Sequence, residues 1–151
     1  MAKNIVLCSD GTGNKGGTGA ESNVFKIYNA IKLNQEKTHK EQIVFYDNGV
    51  GTSKHAVYRA IGGAFGWGFR QNVRDLYEFL GRNYDYKEKD DVYIFGFSRG
   101  AATVRAFVGM VETCGLVVKN LKDTDGNELD EDEYQAQIDL AMKEYMSKKR
   151  H

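Results

Sequence analysis

The sequence predicts an α/β fold, a parallel sheet with helices packed against it in a three-layer sandwich. Three observations predict it. Two runs, Asn4–Ser9 and Asp91–Phe97, are almost continuously apolar, as parallel strands covered on both faces are. A third short run, Gln42–Tyr46, lies between them. Helical periodicity fills the intervals, so the order reads βαβαβα, which suits a parallel sheet with right-handed crossovers.

Each helix has its own signal. Ser22-Asn23 caps a helix that runs to about Leu33, with Val24, Ile27 and Ile31 on one face. A second runs from about Phe69 to Asn83 and carries the apolar stripe Val73, Leu76, Tyr77 and Leu80. A third follows from about Arg99 to Thr113. Beyond Val118 the character changes. Residues 119–133 are polar and acidic, with a turn at Asp125-Gly126-Asn127. An amphipathic helix from about Glu131 to Lys148 closes the sequence, its end carrying basic residues that suit a helix C-terminus. With no internal repeat and no low-complexity linker, residues 1–151 read as a single domain.

Composition excludes several classes. The chain has 21 Lys+Arg against 21 Asp+Glu, a formal net charge of zero. Its global balance therefore points neither to nucleic acid nor to an anionic membrane surface. No stretch reaches eighteen consecutive apolar residues, so no transmembrane segment is expected. The apolar run near the amino terminus is too short for a signal peptide. Cys8 and Cys114 suit free thiols in a reducing compartment and show no metal-ligand spacing. The expected location is cytoplasmic, or exported by a route that needs no signal peptide. No cofactor and no metal are expected.

The chemistry centres on Gly96-Phe97-Ser98-Arg99-Gly100, which is Gly-x-Ser-x-Gly between a predicted strand and a predicted helix. In that setting the motif forms a nucleophile elbow. Gly96 and Gly100 are required because side chains there would collide with neighbouring backbone. Ser98 is left at the carboxyl end of its strand, where open α/β sheets bind ligands. The Arg99 amide, at a helix N-terminus, is a candidate oxyanion donor. The Arg99 side chain reads equally as a surface ion pair or as a contact to an anionic substrate.

A glycine-rich loop, Asp10-Gly11-Thr12-Gly13-Asn14, follows the first strand. With Gly16 it formally satisfies Gly-x-Gly-x-x-Gly, but the helix waits for Ser22 and the nearest strand-end acid, Asp47, lies about thirty residues past Gly16. No Lys-Ser/Thr follows the glycines, so it is not a phosphate P-loop. A nucleotide site is the weaker reading. The better one is a loop at the same sheet edge as Ser98, with Gly11 and Thr12 offering amides to an oxyanion. Asp10 and Asn14 brace it, or close an Asx turn.

These segments together resemble the uncharacterised α/β-hydrolase domain family that includes the phospholipase effectors of bacterial type VI secretion. Four ordered blocks between about residues 3 and 118 carry the resemblance. Asp10-Gly11-Thr12-Gly13-Asn14 is similar to its Asp-Gly-Thr-x-Asn loop, and Tyr46-Asp47-Asn48-Gly49-Val50-Gly51-Thr52 to its Tyr-x-x-Gly-Val-Gly-Thr turn. Gly63-Ala64-Phe65-Gly66-Trp67-Gly68 resembles the small-residue stretch before its next helix. Gly96–Ala101 matches its elbow, with Arg105 a further arginine behind. The resemblance implies a serine ester hydrolase acting on lipid or phospholipid, with Ser98 as nucleophile and Gly11, Thr12 and Arg99 at oxyanion-loop positions. It also implies a catalytic aspartate in an Asp-Thr-Val-like block and a later histidine, and neither block occurs in this sequence.

A base for Ser98 is therefore hard to place. His151 is the only later histidine, and it ends a lysine-rich stretch. His39 sits in a polar run. His55, after the Gly-Val-Gly-Thr turn, is the remaining candidate, although the usual order is serine, acid, histidine. The expectation is the amino-terminal part of an α/β-hydrolase-like fold, with the acid and base arm missing. An exposed sheet edge and apolar surface follow from that, to be covered by self-association or by a partner chain. The alternative is a non-catalytic binding module that keeps the fold. Asp123-Thr124-Asp125-Gly126-Asn127 fails as a calcium loop, with Glu128 where glycine is needed and Tyr134 where glutamate is needed. Phe65, Trp67 and Phe69 read as core in preference to a lipid-facing rim.

Overall fold

A computed structural model describes residues 1–11, 21–34, 40–48, 65–120, 122 and 125–148. Three six-residue strands, β1 (Asn4–Ser9), β2 (Gln42–Asp47) and β3 (Asp91–Gly96), form one parallel sheet in the order β2-β1-β3. The register aligns Ser9 with Asp47 on one side and with Gly96 on the other, so all three strands end level. Four helices are described: α1 (Asn23–Asn34), α2 (Phe65–Asn83), α3 (Arg99–Cys114) and α4 (Glu131–Lys148). The architecture is α/β.

The pleat divides the core in two. Ile5 and Leu7, fully buried, pack under α2 and α3, while Val6 and Cys8 face Val24, Ile27 and Ile31 of α1. Helices thus cover both faces of β1, and its apolar run is that of a central strand. The stripe Val73, Leu76, Tyr77 and Leu80 of α2 is buried as its spacing requires. The helix starts at Phe65, a turn before the expected Phe69, and Phe69 is half-buried against the core.

β3 carries the exposed edge that the sequence leads one to expect. Its sequence reads as a strand covered on both faces, yet it is a sheet edge, with Asp91 exposed and Tyr93 47% exposed. Its faces do meet the two cores, Val92 and Ile94 on the side of α2 and α3 and Phe95 on the side of α1, but along its edge β3 has only β1 beside it among the described residues.

The acidic stretch after α3 leads into a helix that belongs to the core. Asp130 and Glu133 form a capping box: the Glu133 amide donates to the Asp130 carboxylate (2.8 Å) and the Asp130 amide to the Glu133 carboxylate (3.0 Å). Glu131, Asp132 and Glu133 place negative charge at the positive end of the helix dipole. Tyr134, Ile138, Ala141 and Tyr145 then recur on one buried face against α2 and α3. Outside this face, Arg82 and Lys119 bind Glu131 and lie over the Tyr134 ring at 5.0 and 5.6 Å. Inside the core, the Tyr77 hydroxyl donates to the Gly115 carbonyl (2.8 Å) and accepts from the Val117 amide (3.0 Å), tying α2 to the segment that leads away from α3.

At the amino end of the sheet, the buried Asp90 carboxylate accepts from the Lys3 amide (2.8 Å), the Lys3 ammonium (2.7 Å) and the Asp85 amide (2.9 Å). Burial opposes its ionisation, but the bonds from Lys3 and Asp85 outweigh burial and hold the carboxyl below its ordinary value.

Two measurements test this account. Ile138→Ala is expected to cost about 2–5 kcal/mol in denaturant unfolding, while Leu140→Ala on the exposed face stays within about 0.5 kcal/mol. Because the folded pKa of Asp90 is depressed, its contribution is whole above the unfolded carboxylate value of about 3.9 and is lost as pH falls through the folded value. Asp90→Asn should therefore be destabilised at neutral pH, and its deficit against wild type should shrink on acidification.

Candidate functional site

The carboxyl ends of the three strands converge. β1 delivers Ser9, Asp10 and Gly11, all buried; β2 delivers Asp47; β3 delivers Gly96, Phe97 and Ser98. The Asp10 amide donates to the Asp47 carbonyl (3.0 Å) and the Phe97 amide to the Ser9 carbonyl (3.1 Å), so the chain ends stay in contact after the strands finish.

The turn into α3 is made by Ser98 at φ 53° and ψ −119°. A non-glycine residue there carries strain of about 1–3 kcal/mol, and such strain gathers at functional sites. Ser98 is exposed, and its hydroxyl makes no capping bond to the helix that it begins. The turn closes through the Gly100 amide on the Phe97 carbonyl (2.8 Å) and the Ala101 amide on the Ser98 carbonyl (3.1 Å).

Two glycines have no space for a side chain, and a third is closely confined. A Cβ on Gly100 would lie 2.1 Å from the Ser9 carbonyl oxygen. On Gly96 it would meet Val104 Cγ2 at 2.7 Å and the Ala101 Cα at 2.8 Å. On Gly11 it would stand 3.1 Å from Ser98 Cβ, which puts the start of the glycine-rich loop directly against the serine. Arg99 is the first residue of α3 and half-buried, and its carbonyl accepts from the Thr103 hydroxyl (3.2 Å). Thr12, Asn14, His39, His55 and His151 lie outside the described residues, as do Asp123 and Thr124.

Asp10 is the hub beneath the serine. One carboxylate oxygen accepts from the Gly11 amide (2.7 Å); the other accepts from the Tyr46 hydroxyl (2.7 Å) and from Ser22. Ser22 also caps α1 by accepting from the Phe25 amide (3.0 Å). Burial first, and then the bond to Asp10, push the Tyr46 phenol well above its ordinary value, so it stays a donor. Asp47 accepts from the Ser9 hydroxyl (2.8 Å) and from Asn72 of α2 (2.6 Å). Burial, with the charge of Asp10, raises the Cys8 thiol to about 11, so it stays protonated at neutral pH and is a poor nucleophile. The described residues contain no group of three or more acidic, histidine or cysteine side chains able to hold a metal.

Tyr46, Ser22 and Asn72 were not singled out as site residues from sequence. Asn72 had a readable signal: it occupies the same stripe as Leu76 and Leu80, where a polar side chain needs a buried partner.

The family model described as "T6SS, Phospholipase effector Tle1-like, catalytic domain" matches residues 3–150. The chain belongs to this family. The match runs past the four blocks that carry the sequence resemblance and takes in α4. The chain is also 31% identical over 135 residues to the "Uncharacterized protein YEL023C" of Saccharomyces cerevisiae, covering 80% of this chain and 19% of that protein. It therefore spans about a fifth of the length of this curated relative. No solved structure matches the chain significantly. No described helix is long and apolar enough to cross a membrane.

Backbone strain and close approach make a paired prediction. Gly100→Ala should cost about 1–3 kcal/mol or more through forced displacement of Ser9. Ser98→Gly should raise stability by about 1 kcal/mol, because relief of strain exceeds the entropy that glycine adds to the unfolded chain. Urea unfolding of both variants reads the two signs.

Proposed function

We propose that the chain is the nucleophile-bearing part of an α/β-hydrolase-like serine esterase that acts on lipid or phospholipid esters. One observation carries the reading: Ser98 is held exposed at positive φ between β3 and α3, with Gly11 against it. Membership of a phospholipase effector catalytic-domain family supports the substrate class.

In this reading the Ser98 oxygen attacks the ester carbonyl carbon and its proton passes to a base. The carbonyl oxygen becomes an oxyanion, received by the backbone amides of Thr12 and Arg99, while the Gly11 amide, expected from sequence to join them, is instead donated to the Asp10 carboxylate. Collapse breaks the carbon–oxygen bond to the alcohol, which leaves with a proton from the base. Water then attacks the acyl-serine ester and releases the acid. Asp10 acts through Gly11: by accepting its amide and the Tyr46 and Ser22 hydroxyls, it fixes where the loop leaves β1. The base is His55 or an acid/base arm that this sequence does not contain. A cytoplasmic location, or export without a signal peptide, accompanies this reading.

The test is labelling by a fluorophosphonate ester probe, which needs a reactive serine but not a full catalytic cycle. Wild type should label, Ser98→Ala should not, and Cys8→Ala should label like wild type. Folded wild type that stays unlabelled would overturn the catalytic reading and favour a binding module with a hydrolase-like fold.

A further inference from the structure

The elbow is seated on one atom, the Ser9 carbonyl oxygen. That oxygen accepts the Phe97 amide (3.1 Å), the bond immediately before Ser98. It is also the atom that a Cβ on Gly100 would meet at 2.1 Å. Both flanks of Ser98 are therefore set by where Ser9, the last residue of β1, stands. In the sheet Ser9 lies between Gly96 of β3 and Asp47 of β2.

On the side away from the elbow, Ser9 is gripped by the Asp47 carboxylate. One oxygen, Oδ2, accepts both the Ser9 hydroxyl (2.8 Å) and the Asn72 side-chain amide (2.6 Å). Ser9 and Asn72 are both buried. Asp47 ends a strand at the margin of the described sheet, and each donor to its carboxylate removes rotamer freedom. The Asn72 donor ties it to another layer, because Asn72 stands on α2 beside the fully buried Val73, Leu76 and Tyr77. A buried amide in that apolar stripe is costly unless its bond is made.

We propose that Asn72 is a positioning residue for the Ser98 nucleophile, acting through Asp47 and Ser9. The contacts run from α2 to Asp47, from Asp47 to the Ser9 hydroxyl, and from the Ser9 carbonyl to Phe97 and Gly100 on either side of Ser98. This brace is distinct from the Asp10 hub, which holds Gly11, Tyr46 and the Ser22 cap of α1. The glycine-rich loop and the elbow are thus set by different carboxylates and different helices. The chemical consequence rests on the esterase reading; the geometry does not. A misplacement of about 1 Å can cost about a hundredfold in rate, so the brace is felt at the serine.

The test compares Asn72→Asp, Asn72→Leu and the swap D47N/N72D, each checked for folding by circular dichroism. N72D removes the donor and sets a second carboxylate against Asp47. N72L removes the donor, adds no charge and keeps the stripe apolar, so the result does not depend on N72D folding. The swap returns one amide and one carboxylate to the pair with their places reversed, and the amide oxygen at position 47 still accepts from Ser9. Fluorophosphonate labelling yields a rate constant at saturating probe and a half-saturating concentration. In the folded single variants the rate constant should fall by about tenfold or more with the half-saturating concentration unchanged, and the swap should restore it. Folded single variants that label at the wild-type rate, or a folded swap that does not recover, overturn the proposal.

Unlabelled wild type would instead overturn the esterase reading, and amide hydrogen exchange then decides the positioning. The Phe97 amide should exchange about tenfold faster in the single variants relative to the amide of Met110, in the buried part of α3, and the swap should return the ratio to that of wild type. A merely structural role moves both amides together through global unfolding. A ratio that stays constant across the variants overturns the proposal.

Discussion

Where α3 begins, the helix backbone lies against Ser9, the last residue of β1, with no side chain between them. The Gly100 position is so close to the Ser9 carbonyl that one carbon atom there would overlap it at 2.1 Å. That approach sets the rest of the site. It forces the chain to reverse between Gly96 and Gly100, and the reversal leaves Ser98 at positive φ with its side chain thrown outward. It also keeps Ser9 in place, so that Asp10 and Gly11 emerge beside the serine. The strain at Ser98 persists because its surroundings are over-determined. β1 is buried throughout its apolar length, and α3 is anchored by Thr103, Ala106, Phe107 and Met110.

The polar groups at the carboxyl edge serve that geometry. Two carboxylates, Asp10 and Asp47, end adjacent strands, and hydroxyls, an amide side chain and backbone N–H groups are arranged around them. Buried carboxylates without donors are costly, so each bond made here also fixes a position. Asp10 joins β1, the loop at Gly11, the Tyr46 end of β2 and the cap of α1. The rotation of α1 against the sheet and the exit direction of the loop are thereby coupled. The opposite end of the sheet repeats the device more simply, with Asp90 holding Lys3 and the turn before β3.

What was legible in the sequence was local. β1 occupies the expected Asn4–Ser9 and α4 the expected Glu131–Lys148, because an unbroken apolar run and an amphipathic stripe are statements about neighbours in the chain. The Gly-x-Ser-x-Gly run was legible as a local motif between a strand and a helix, although Gly100 itself answers to Ser9, far away in the chain. Tyr46, Ser22 and Asn72 answer to partners 36, 12 and 25 residues away. No local pattern announces those pairings; they exist only once the strands are in register. The early start of α2 at Phe65 is a boundary of the same kind, hidden by the glycines at 66 and 68 that weaken the helical signal.

The edge of β3 is different, because its local pattern is that of a strand inside a sheet while the described sheet has no strand on its outer side. A strand acquires a continuous apolar run when both its faces are covered, and also when its edge is. Tyr93 and Phe95 on one face, with Val92 and Ile94 on the other, make a strand suited to the middle of a sheet, while the described sheet stops there. The two statements are reconciled if the covering is supplied from outside the three strands. The free groups along Val92, Ile94 and Gly96 then have partners, and the apolar walls beside α3 have something to pack against. Without that covering, the same residues make the edge a template for uncontrolled pairing. Ser98 sits at the end of this strand, so whatever fixes the β3 edge also fixes the backbone from which the serine is presented.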